Sequence, residues 1–241
     1  MCILGGMILD WFYEEGPRGP ENWKNICAIF HKAENESLQS PINLKEEEVT
    51  AEMDGNLLAF DYHATNFRSS FFNHTVHLNP VAGEKINHVV FNHKRYTLED
   101  IHFHLPSEHL INSQQFPLEM HLVHRSAKNE LLVIGVVAEP TQVPLNKKLA
   151  KIDNIALNPR NAARGFVVPI LLNQLLPEKR TFFNYSGSLT TPPTEGPVEW
   201  LVFKMPVYMR QGLLKAFEEQ IGKTNRPVQE RKGRPIYLAD K

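Results

Sequence analysis

With 241 residues, 26 Lys and Arg against 27 Asp and Glu, and 42% apolar residues, the chain is almost charge-balanced and long enough to bury one substantial core. That balance offers no long-range field for nucleic acid or an anionic membrane surface. No apolar run approaches the roughly 20 residues that cross a bilayer, so residues 1–241 read as one soluble domain suited to a small neutral substrate. The opening MCILGGMIL reads like the end of an apolar signal segment without its basic leader or cleavage site, and residues 1–10 are expected to be flexible or processed. Only Cys2 and Cys27 occur, which favours a reducing, cytoplasmic compartment; the alternative is a periplasmic protein whose upstream signal has been removed.

In chain order, strands are expected over Asn56–His63, over His88–Leu105 as two strands, and over Leu118–Ser126. Leu131–Pro140 is a further strand, apolar on both faces from Leu131 to Ala138 and so placed at the centre of a sheet. A helix is expected over Asn146–Leu157, a strand over Val198–Val207, and a surface helix over Met209–Gly222. In the last, Leu213, Leu214, Phe217 and Ile221 share a face and Gly222 is the stop. Seventeen scattered prolines also suit short strands joined by turns, which makes the fold mainly β with peripheral helices.

Chemistry concentrates in DIHFHLPSEH, Asp100–His109. Alternate residues of a strand share a face, so His102 and His104 project together, and in the Leu118–Ser126 strand Glu119, His121 and Val123 do the same. The stretch between His104 and Leu118 leaves room for an antiparallel return that brings the three imidazoles together. Three neutral imidazoles with an open fourth position describe a catalytic zinc site, although imidazole also suits copper, iron, nickel and cobalt. A ligating imidazole usually donates its other N–H to an acceptor, and Asp100 and Glu119 each lie two residues before a histidine on the same face. A lone strand histidine is most often just a partly buried polar residue. The H-x-H pair with a third histidine and its carboxylate tips the balance to a metal. The run His102, His104, Glu108 also resembles the first metal motif of the cupins, but Tyr96 and Gln115 stand where that motif has glycines, so it is the runner-up.

Together, IHFHLPSEH, LEMHLVH and YSGSLTTPPTEGPVEW resemble the α-class carbonic anhydrases, especially the bacterial ones. GPENW, QSPIN, NHTV and NRPVQ extend the resemblance along nearly the whole chain. It implies a central, largely antiparallel twisted sheet of about ten strands and one Zn2+ per chain, held by His102, His104 and His121, with Glu119 as acceptor for His121. The implied reaction is CO2 hydration to bicarbonate and a proton, with a weak esterase side activity. Carbonic anhydrase is the standard example of zinc lowering the pKa of bound water from 15.7 to about 7, and that magnitude is taken over from the family. Asp100 departs from the family's usual glutamine; a charged acceptor should make His102 a more basic ligand.

By the same resemblance Thr190 orients the nucleophile and donates to Glu108, Thr191 contacts bicarbonate, and Val123, Val133, Leu189, Val198 and Trp200 form an apolar wall for CO2. Plain core packing predicts much the same apolar residues. His74 falls at the proton-shuttle position and Tyr13 at that of a tyrosine ordering the connecting waters, while His77 replaces a usual polar residue. Thr194 stands where many exported relatives carry a disulfide cysteine, leaving Cys27 without an evident partner. Sulfonamide and anion inhibitors are expected at the zinc, with neither nucleic acid nor membrane as partner, and a homodimer is allowed. A silent binding module on this fold is expected to lack a zinc-ligating histidine; all three are present here.

Overall fold

The computed structural model describes residues 2–4, 7–34, 37–83, 86–141, 165 and 167–240. In chain order its strands are β1 (Cys2–Leu4), β2 (Met7–Leu9), β3 (Asn43–Leu44), β4 (Ala51–Asp54), β5 (Leu58–Asp61), β6 (Ala64–Phe72), β7 (Thr75–Pro80), β8 (His88–Phe91) and β9 (Lys94–His104). They continue with β10 (Leu110–Ile111), β11 (Leu118–Ser126), β12 (Leu131–Thr141), β13 (Val167–Leu171), β14 (Phe182–Gly187), β15 (Val198–Phe203), β16 (Val207–Arg210) and β17 (Tyr237–Asp240). The helix expected over Asn146–Leu157 lies outside the described residues.

One twisted sheet organises the molecule. Its continuous path runs β13-β6-β7-β9-β11-β12-β15-β14-β17-β4, ten strands as expected, with β5, β8 and β16 paired off that path. Most neighbours are antiparallel; β12 with β15 and β16, and β17 with β4, are parallel.

The apolar run of β12 sits where a strand hydrophobic on both faces must sit, between β11 and β15. Its alternation divides the core. Leu132, Ile134, Val136 and Ala138 enter a large cluster that also takes Leu213, Leu214, Phe217 and Ile221 from the helix Gln211–Ile221. Val133 and Val137 enter a second cluster on the opposite face, with Val198, Trp200 and Val202 of β15. The helix ends at Gly222, whose φ of 59° is the left-handed conformation a glycine stop adopts without strain.

A β-bulge in β9 was not evident in the sequence. Opposite Val123 and His124 stand Asp100 and Leu98, so Glu99 is the extra residue. The insertion lets Leu98 and Ile101 both reach the large cluster while Asp100, His102 and His104 keep the other face. The β6–β7 hairpin was also not anticipated; it turns on Asn73 and His74, both with positive φ. Cys27 is disulfide-bonded, which corrects the reading that left it without a partner.

On the large-cluster side His124 is fully buried, and its Nδ1–H donates to the Leu122 carbonyl at 2.9 Å. Its Nε2 therefore accepts from the Tyr62 hydroxyl at 2.7 Å. Burial lowers its pKa to about 3. An unfolded histidine titrates near 6.5, so the stability tied to keeping His124 neutral is full above that pH and is lost progressively as the pH falls towards 3. In urea unfolding between pH 7 and 4, His124→Phe should show a shallower fall in stability than the parent chain. Equal slopes would remove His124 from the acid sensitivity.

Candidate metal centre

Three adjacent strands bring the site together. The register pairs His77 of β7 with His102 of β9 and His102 with His121 of β11, while His104 lies opposite Glu119. The ring centroids of His102, His104 and His121 are 5.1, 5.2 and 4.6 Å apart, and one nitrogen from each lies within 4.8 Å of the others.

Hydrogen bonding determines which nitrogen of each ring stays free. His104 Nδ1 is 2.6 Å from the Thr224 carbonyl, which can only accept, so Nδ1 carries the proton and Nε2 the lone pair. His121 Nε2 donates to Glu119 Oε1 at 2.9 Å, leaving Nδ1 free. His102 Nδ1 donates to Asp100 Oδ2 at 2.6 Å, leaving Nε2 free. Burial lowers the pKa of His104 to about 3 and that of His121 to about 4. His104 Nε2 is buried without a hydrogen-bond partner, an orphan lone pair that a cation would satisfy. Borderline-soft nitrogen donors in this number fit zinc.

The support around these rings is dense. Glu119 is fully buried and takes four hydrogen bonds: Oε2 from the backbone N–H groups of Glu108 and His109, Oε1 from His109 Nδ1 at 2.7 Å and from His121. Although burial raises a carboxyl pKa, His109 and His121 hold that of Glu119 well below the ordinary range. Gly135 of β12 lies opposite His121, and a Cβ there would stand 2.8 Å from Glu119 Oε1, so only glycine admits this carboxylate. His109 accepts from the Tyr185 hydroxyl at 2.7 Å, and Tyr185 is bonded to Ser40 Oγ at 2.8 Å. The sequence reading gave no role to His109, Tyr185 or Ser40. His109 was visible in the SEH run, but nothing local showed its partner. The Thr224 carbonyl carries no side-chain signal at all.

Glu108 is also fully buried, and burial raises its pKa against the pull of His121, the Arg226 N–H and a side-chain hydrogen bond from Thr190. Its Oε1 accepts from the Arg226 N–H at 2.8 Å, and its Oε2 stands 3.5 Å from His104 Nε2 and 4.0 Å from His121 Nδ1. Glu108 thus faces the same point as the free imidazole nitrogens. Thr190 is buried and Thr191 half-buried, in the loop after β14 that Trp200 Nε1 holds by donating to the Ser188 carbonyl at 3.0 Å. Val133, Val198 and Trp200 belong to the second apolar cluster, with half-buried Val123 and Leu189 packed against it, and the Trp200 ring lies 4.9 Å from that of His121.

His74 stands apart, at the β6–β7 turn. Its Nε2 is 3.5 Å from Asp10 Oδ1, and its ring lies 4.9 Å from Trp11 and 6.2 Å from Tyr13. Tyr13, whose hydroxyl is buried without a partner, spans the gap, with its ring 6.4 Å from His104.

The large twisted sheet thus carries a three-histidine cluster, His104 and His121 buried and His102 half-buried, with a carboxylate and a threonine beside it, in which three side chains could hold a metal ion. A sequence model of the eukaryotic-type carbonic anhydrases matches residues 18–239. The carbonic anhydrase of Neisseria gonorrhoeae is 32% identical over 238 residues, covering 96% of this chain and 88% of that protein. Dioscorin DB3L of Dioscorea polystachya is likewise 32% identical, over 241 residues, covering 95% of this chain and 86% of that protein. The solved α-carbonic anhydrase of Thermovibrio ammonificans, in complex with the inhibitor sulfanilamide, superposes with a TM-score of 0.82 at 30% identity, covering 96% of this chain and 100% of that one. The chain belongs to the eukaryotic-type, α-class carbonic anhydrase family and is an enzyme of that family.

Proposed function

We propose that the chain catalyses the reversible hydration of CO2 to bicarbonate and a proton, with one zinc held by His102 Nε2, His104 Nε2 and His121 Nδ1. The observation that carries this reading is the inward convergence of three imidazole lone pairs, each fixed by an outward N–H bond. Zinc bound there supplies a water acidic enough to act as a nucleophile near neutral pH.

The chain's own residues do the rest. Thr190 donates to Glu108, so its oxygen is left to accept a proton-bearing group in the site. The apolar wall of Val123, Val133, Leu189, Val198 and Trp200 offers uncharged CO2 a place free of competing hydrogen bonds, with Thr191 beside it for bicarbonate. His74, partly open to solvent with Tyr13 between it and His104, takes the released proton to buffer. The same site accounts for a weak esterase side activity and for sulfonamide or anion inhibition, as the relative with sulfanilamide supports.

Stopped-flow CO2 hydration tests the proposal. Activity should vanish on chelation and return with one equivalent of zinc; an inactive protein with one zinc bound per chain would refute it. His74→Ala should slow turnover on the order of 10-fold or more, and imidazole buffer should restore much of the loss. Total loss without rescue would assign His74 a structural role.

A further inference from the structure

We infer that His77 is a positioning residue for the metal centre, acting through Asp100 to hold His102 with its Nε2 presented to the metal. The inference rests on zinc being held at the three histidines.

The geometry is a continuous array across β7 and β9. His77 Nδ1 is 2.9 and 3.0 Å from the two Asp100 oxygens, so its N–H straddles the carboxylate and sets its plane. Asp100 Oδ2 receives the His102 Nδ1–H at 2.6 Å, and Asn79 Nδ2 donates to Oδ1 at 3.0 Å. Three donors thus stop the carboxylate from rotating. Without the one from His77, Asp100 can swing away and leave the His102 imidazole free to turn.

His77 is itself immobilised. It is 8% exposed, its backbone is paired in register with His102, and its ring lies 5.1 Å from Phe72 and 5.0 Å from His102. Because Nδ1 carries the proton directed at Asp100, both imidazoles present N–H groups to one anion. Partners of this kind, behind a ligand, typically control metal affinity by about 10- to 100-fold. The Asp100 carboxylate is reached from the neighbouring strand, where a histidine stands with its Nδ1 turned towards it.

The test is the rate of zinc loss to a chelator, with the visible spectrum of the cobalt-substituted protein as a second readout. His77→Leu, which keeps apolar bulk against Phe72 but no donor, should lose zinc about 10- to 100-fold faster and alter the cobalt spectrum. Asp100→Ala should do the same, and the double variant should be no faster than the worse single one, because the two act in series. His77→Gln, with an amide donor, should recover a large part of the loss. A parent-like rate in His77→Leu, or effects that multiply in the double variant, would overturn the inference. A parent protein that holds no zinc would overturn the metal reading and this inference together, whereas a zinc-holding parent with an indifferent His77 overturns the inference alone.

Discussion

His104→Ala is expected to abolish zinc binding and to lower CO2 hydration by roughly three orders of magnitude or more, since a water released from zinc returns from a pKa near 7 towards 15.7. The argument starts from burial. His104 is fully buried, its Nδ1 is committed to the Thr224 carbonyl, and its Nε2 has no partner. With a pKa of about 3 the ring stays uncharged near neutral pH, so its lone pair is available to a metal ion. Removing the ring leaves two histidines, too few for a stable zinc site. Metal analysis and stopped-flow assay, with circular dichroism to show that the fold survives, check the result. Full zinc occupancy in this variant would place the metal elsewhere.

Glu119→Leu is expected to cost about 3–5 kcal/mol of stability in the metal-free protein, the usual cost of breaking a buried, hydrogen-bonded charge. The substitution strands four donors at once: two imidazole N–H groups and two backbone N–H groups, all enclosed. Glu119→Gln keeps the shape but turns an NH2 towards donors, so its loss should be smaller yet clear in urea unfolding at pH 7. The sign with pH follows from the depressed pKa of Glu119. Its contribution is full above the unfolded carboxyl value of about 4.3 and is lost as the pH falls through the lower folded value. The gap between the parent chain and Glu119→Gln should therefore narrow below about pH 4. A constant gap down to pH 2 would mean that the four bonds do not depend on the charge of the carboxylate.

Much of this was legible along the chain because strands expose their periodicity. Leu118–Ser126 forms over the expected span, His88–Leu105 divides into two strands, and β12 takes the central place its two apolar faces require. The helix buries the four residues its spacing selected. The histidine cluster was legible for the same reason: side chains two apart on a strand must share a face, so His102 with His104, and Glu119 with His121, announce their company locally.

What the sequence by itself determined is therefore the grouping of His102, His104 and His121, the family and the sheet, all of which rest on short-range alternation and on motifs. Only the tertiary structure decided which nitrogen of each imidazole is free, because that depends on acceptors remote in sequence, such as the Thr224 carbonyl behind His104. It alone showed the bulge at Glu99 that brings Leu98 and Ile101 to the same core, the room Gly135 leaves for Glu119, and the disulfide at Cys27. It also placed His77 across Asp100. A hydrogen bond between neighbouring strands is set by register, and register is a property of the folded sheet that no single strand carries.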